Sequence, residues 1–212
     1  MLNKNLILSI LLLFTTYSFA GNINKEKPKY LWFDAEANFE RFSSKDSISY
    51  YLEKAKDVGF NQVVVDVKPI YGEVLYKSKI LPPLTTVHNK VIERDWDYLQ
   101  YFIDEAHRLG LKVTVSTAVF TAGHPATCEG LVYEDKRWNG KTCLEYMSNN
   151  KMLDIRDDKQ KVGAFLNPVR KDVRNFALSI IREIVKNYDI DAYALDYCRY
   201  PADNSDFSNE TR

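Results

Sequence analysis

Val63-Val64-Val65-Asp66-Val67 is the stretch on which the fold turns. Four β-branched residues in five leave no polar alternation. A strand built this way is covered on both faces, the mark of a parallel sheet. What precedes it is helical. Ile48, Tyr51, Leu52, Ala55 and Val58 fall at offsets 0, 3, 4, 7 and 10, one face of an α-helix. Ser43 and Ser44 stand ahead of that helix as capping candidates, and Gly59 follows where a left-handed residue closes a helix. Earlier still, Tyr30-Leu31-Trp32-Phe33-Asp34 reads as a short buried strand.

The unit then repeats. Leu99, Phe102, Ile103, Ala106 and Leu109 keep the same offsets, Gly110 closes the helix, and Lys112-Val113-Thr114-Val115-Ser116 forms the next strand. A third round places Ala177, Ile180, Ile181 and Ile184 on a helix ahead of Ala192-Tyr193-Ala194-Leu195-Asp196. Strands alternating with helices predict a parallel sheet with right-handed crossovers. Two α/β architectures fit, a (β/α)8 TIM barrel and an open doubly wound sheet. No G-x-G-x-x-G follows the first strand and no phosphate loop is present, so nucleotide binding loses support. Long segments after the strands, 67–94 and 117–172, fit the elaborated C-terminal face of a barrel. A full barrel needs about 250 residues. We therefore expect these 212 residues to hold only the first four β/α units of a longer TIM barrel. The alternative is a small four-stranded α/β domain.

Charge narrows the function. Twenty-nine Lys and Arg balance 29 Asp and Glu, so no general pull toward nucleic acid or an anionic membrane exists. At the N-terminus, Lys4, the apolar run Leu6 to Phe14 and the small residues of Ser18-Phe19-Ala20 read as a signal peptide over residues 1–20. The run is too short to span a bilayer comfortably. An uncleaved N-terminal anchor is the alternative. The mature domain, residues 21–212, is expected to be secreted or periplasmic with no stable membrane span. In that setting Cys128 and Cys143 are expected to form a disulfide, worth about 3 kcal/mol on the loop-entropy model. Cys198 is read as a small packed side chain. His88, His107 and His124 lack ligand spacing, so neither a metal nor a cofactor is expected.

In parallel α/β folds, functional groups gather where strands end. The first strand ends at Asp34 with Glu36 beyond, the second carries Asp66 and then Lys68, and the fourth runs into Asp196-Tyr197-Cys198-Arg199. The third ends without an acid, in Thr117 and Phe120 and then His124. Carboxylates converging with aromatics match glycoside hydrolysis, in which one carboxyl protonates the leaving oxygen and another attacks or activates water. Asp196 is the candidate catalytic carboxylate, with Arg199 expected to hold it charged. A structural Asp–Arg pair is the competing reading. Asp34, Glu36, Asp66, Lys68, His124, Tyr197 and Arg199 are candidate substrate contacts. Asp66 could equally bridge to Lys68 or a backbone amide, and Asp34 could simply tie its strand to a neighbour. His107 is read as structural. Among the stacking candidates Trp32, Tyr71, Phe120, Trp138, Tyr197 and Tyr200, Trp32 is expected in the core. Trp138 is expected as an exposed platform. The mixed-charge run Arg156 to Lys161 reads as a solvated loop.

Five segments in order carry a resemblance. They are Gly72-Glu73-Val74-Leu75-Tyr76-Lys77-Ser78, Trp96-Asp97-Tyr98-Leu99, Glu105 to Val113, Asn167 to Arg174, and Asp191 to Pro201. Together they resemble the glycosyl hydrolase-like 10 family of exported bacterial proteins. The resemblance implies a TIM barrel and a glycosidase acting on a polysaccharide such as a cell-wall glycan. Asp196 and Arg199 match the Asp and Arg of the family's strand-four motif. Where many members carry Trp-x-Asn-Pro after strand three, Ser116-Thr117-Ala118-Val119 stands here. The acid/base residue is expected on a later strand, outside this sequence. Three readings compete: a retaining glycosidase with Asp196 as nucleophile, a non-catalytic carbohydrate-binding protein, and another hydrolase using Asp66 and His124.

Overall fold

A computed structural model of the protein describes residues 27–211, so the signal peptide read over residues 1–20 lies outside the described residues. Four parallel strands form one sheet: β1 (Tyr30–Phe33), β2 (Gln62–Lys68), β5 (Lys112–Ala118) and β8 (Ala192–Asp196), in the order β1-β2-β5-β8. Each successive sheet strand lies beside the previous one. A doubly wound sheet would reverse direction at a switch point.

The helices between the strands form for the reasons their sequences carry. Helix α1 (Lys45–Asp57) starts at Ser44, whose hydroxyl accepts from the Ser47 amide, and buries Ile48, Leu52 and Ala55. Helix α2 (Tyr98–Arg108) is capped by Asp97, which accepts from the Gln100 amide, and buries Leu99, Phe102, Ile103 and Ala106. Gly59 and Gly110 follow these helices with φ of 90° and 67°, values at which a side chain is strained. Helix α4 (Lys171–Asn187) starts at Arg170 without a side-chain cap and turns Val173, Ala177, Ile180 and Ile184 inward. Val63, Val65 and Val67 of β2 lose all contact with solvent against these helices. Each such side chain contributes about 1.5–3 kcal/mol of burial.

The long segments after β2 and β5 hold structure that no periodicity in their sequence announces. The first contains the hairpin β3 (Thr86–Val87) and β4 (Lys90–Val91). The second contains the short helix α3 (Leu131–Glu134) and the hairpin β6 (Leu144–Tyr146) and β7 (Met152–Asp154).

Here the expected disulfide fails. Cys128 and Cys143 are both free thiols. Cys143 is fully buried with Ile155 and Phe165, its thiol toward the Leu166 carbonyl, whereas Cys128 is exposed and faces Lys159. Cys143 is held instead to later segments, its amide donating to the Phe165 carbonyl and its carbonyl accepting the Ile155 amide. The mixed-charge run is also less solvated than its composition implied. Arg156 pairs with Asp154, and Lys161 reaches the fully buried Glu145 at 2.7 Å.

Candidate active site

Strand pairing decides which acids meet. Trp32 registers with Val64, Thr114 and Ala192 across the sheet, and Asp66 registers with Ser116 and Ala194. Side chains alternate between faces along a strand, so Trp32 and Asp34 share the face that carries Asp66. Asp196 registers with Ala118, one step further toward the strand ends on that face. The result is a cleft of about 490 Å³ lined by Trp32, Asp34, Glu36, Asp66, Pro69, Ile70, Ala118, Val162, Asp196 and Tyr197. It lies at the C-terminal edge of the sheet, where parallel α/β folds bind ligands.

The four carboxylates are held differently. Asp34 is exposed and accepts the Ala37 amide at 2.7 Å. Glu36 accepts the Ile70 amide at 3.1 Å, and burial raises its proton affinity, with Asp34 adding to the effect. Burial, then repulsion from Asp34 and Glu36, pushes Asp66 up to about 7, while the Ala35 amide and its hydrogen bond oppose that rise. Asp196 accepts the amide of Tyr197 at 2.8 Å. Tyr197 has φ 46°, a left-handed conformation that turns the chain sharply after the acid and is costly for a residue with a side chain. Its ring packs on Phe165 with centroids 5.7 Å apart.

Of the candidate contacts, the structure brings Asp34, Glu36, Asp66, Asp196 and Tyr197 together. It does not bring in Lys68, Arg199 or His124. Lys68 points the other way and is fully buried, its ammonium donating to the carbonyls of Ala118 and Thr121. Burial pulls it down to about 7. It therefore ties the end of β2 to the segment after β5 and makes no bridge to Asp66. Arg199 donates to the carbonyls of Tyr200 and Pro201 and lies over the Tyr197 ring at 5.3 Å, so the expected Asp196–Arg199 ion pair is not formed. His124 stacks on Tyr71 at 5.8 Å and faces Thr127, outside the cleft lining. His107 is structural as read, bonded to Asp191 at 2.9 Å.

The two tryptophans exchange places. Trp32 is 48% exposed and forms part of the cleft, because it lies on the face of the edge strand that none of the described helices covers. Trp138 is buried against Phe176 at 4.5 Å. Pro69, Ile70 and Val162 were not singled out from the sequence. Pro69 and Ile70 had a usable signal, directly following a strand end. Val162 had none, since it adjoins a charged run and reaches the cleft only through the fold of its loop. A second cavity of about 520 Å³, bounded by Tyr76, Arg94, Trp96 and Tyr98, holds no strand-end acid. Among the described residues, no three His, Cys, Asp or Glu are placed to hold a metal ion, and no helix is long and apolar enough to cross a membrane.

The S-layer-related protein of Niallia circulans is 35% identical over 196 residues, covering 88% of this chain and 12% of that protein. The glycosyl hydrolase DigH of Escherichia coli K12 is 28% identical over 149 residues, covering 68% of this chain and 32% of that protein. The chain thus spans about a third or less of these relatives' own length. A hypothetical protein of Ruminiclostridium thermocellum shares the fold, with a TM-score of 0.55 at 18% identity, over 86% of this chain and 83% of that one. The model of the glycosyl hydrolase-like 10 family matches residues 29–211, almost everything the structure describes, and the chain belongs to that family.

Proposed function

We propose that the chain forms the catalytic face of a glycoside hydrolase acting on a polysaccharide such as a cell-wall glycan, and that its four β/α units are the first half of a TIM barrel. The observation that carries this is the meeting of four carboxylates with Trp32 and Tyr197 in one cleft at the strand ends. In the proposed mechanism Asp196 is the nucleophile. Its position on the last strand leaves it open to a sugar stacked on Trp32. Asp34 and Glu36 accept hydrogen bonds from sugar hydroxyls. Asp66, which keeps its proton up to about pH 7, donates to a sugar oxygen or to a neighbouring carboxylate while it is protonated and accepts once it is ionised. An acid/base partner comes from beyond the residues described. In this reading, export through a cleaved leader brings the enzyme to where such glycans lie.

Asp196→Asn tests the assignment. Turnover should fall on the order of a thousandfold or more while glycan affinity stays within a few-fold, because the amide keeps the shape and loses the nucleophile. Retained turnover removes Asp196 from the mechanism. The binding-protein reading keeps one specific support: Arg199 donates to the Tyr200 and Pro201 carbonyls rather than to Asp196. Glycan binding with no turnover in either form decides for it.

A further inference from the structure

Four of the residues lining the cleft are carboxylates and none is Lys, Arg or His. The two cations that the sequence brings nearest are spent elsewhere, Lys68 on the Ala118 and Thr121 carbonyls and Arg199 on those of Tyr200 and Pro201. No ion pair among the described residues involves Asp34, Glu36, Asp66 or Asp196. The walls between the acids are apolar, from Trp32, Ile70 and Val162, which weakens screening inside the cleft. The acids also repel one another. Negative charge is therefore concentrated, with no cation in the cleft lining, beside an exposed aromatic ring on which a sugar can stack. A uronate or sulfated glycan is repelled there. A neutral sugar finds acceptors but leaves the repulsion in place. A primary ammonium relieves it, through charge-assisted hydrogen bonds to carboxylates, and Asp66 releases its proton to solvent as the cation enters.

We infer that the cleft selects a glycan carrying an unacetylated amino sugar, its ammonium held by Asp34 and Asp66 while Trp32 packs on the ring. This rests on the proposed glycan-binding role of the cleft. It names the substrate class by charge alone. Asp34 is the open partner, exposed and with a single backbone amide on one oxygen. Asp66 sits beside it, since the preceding residues Phe33 and Val65 are direct register partners.

Titration calorimetry of the purified protein with three tetrasaccharides tests this. The β-1,4-linked tetramers of glucosamine, N-acetylglucosamine and glucose differ only at C2. The glucosamine tetramer should bind at least about tenfold more tightly than either of the others at low ionic strength. That advantage should shrink in about 0.5 M NaCl, because exposed charges are screened. It should also be lost in Asp34→Asn, whose side chain still accepts the Ala37 amide and whose folding a circular-dichroism melt verifies. Equal or weaker binding of the glucosamine tetramer overturns the inference, as does a preference indifferent to salt and to Asp34→Asn. If the glucose or N-acetylglucosamine tetramer binds best, the glycan reading stands and the amino-sugar inference falls. If none of the three binds, the inference falls. If a panel of neutral and acidic polysaccharides then also fails, the glycan reading falls with it.

Discussion

Burial and two acidic neighbours lift Asp66 to about 7, whereas an aspartate in an unfolded chain titrates near 3.9. Between those values the native protein keeps a proton that the unfolded chain has lost. Stability should therefore decrease as pH rises from about 4 to about 7. Each pH unit in that interval is worth about 1.4 kcal/mol, so the loss amounts to a few kcal/mol. Asp66→Asn should remove it. Thermal melts at pH 5 and pH 7 are the check, and the variant should gain on the wild type as pH rises. A wild-type-to-variant difference that stays constant across this window would show that Asp66 is not protonated in the native state. Lys68 adds an effect of opposite sign, but only above about 7, where its lowered proton affinity leaves the native amine neutral while the unfolded one stays charged. At this scale the acids were legible and their partners were not. A carboxylate ending a buried strand announces itself by position. Whether Arg199 turns toward Asp196 or toward the Tyr200 and Pro201 carbonyls depends on how the backbone runs past the strand end, and no spacing encodes that.

Among the elements, the segments after β2 and β5 interlock. The Leu131 amide donates to the Tyr71 carbonyl at 3.0 Å, and Lys68 anchors the same pair of segments from below. Gly130 sits at the crossing with φ 99°, and a Cβ there would lie 2.4 Å from the Tyr71 carbonyl oxygen and 2.9 Å from the Gly123 Cα. Both obstacles are backbone, so neither moves aside cheaply. Gly130→Ala should cost about 1–3 kcal/mol of overpacking beyond the left-handed strain, a fall of several degrees in Tm. Gly140→Ala supplies the control. Gly140 is also left-handed, with φ 69°, but has nothing within 4 Å, so it bears the strain alone, about 1–2 kcal/mol. A Gly130→Ala melt no lower than that of Gly140→Ala would show that the crossing yields. The four sheet strands and three long helices could be read directly, because each carries a local signal: β-branched runs, offsets of 3 and 4, a cap or a terminal glycine. The hairpins β3–β4 and β6–β7 could not. Their strands are two and three residues long, below the length at which alternation is distinguishable from chance.

For the whole molecule, we propose export on the strength of the leader-like pattern of residues 1–20. A cut after Ala20 should leave Gly21 as the first residue of the mature protein, and N-terminal sequencing of material from the periplasm or the medium reads this directly. A chain from the same fraction that still begins at Met1 counts against cleavage. The pattern of covered and open surface has a different origin. The outer face of the sheet, with Val63, Val65, Val113 and Val115, shares one core with α1, α2 and α4, while the other face carries Trp32 and the acids and lies open at the cleft. The parallel α/β order, the acids at the strand ends and the family resemblance were all present in the unfolded string of residues, because these are local patterns read along the chain. It took the assembled fold to turn Trp32 toward the cleft and bury Trp138, to keep Cys128 and Cys143 apart, and to leave Lys, Arg and His out of the cleft lining. Those outcomes depend on which strand edges meet and on where distant loops deliver their carbonyls and rings, and a one-dimensional pattern carries no record of either.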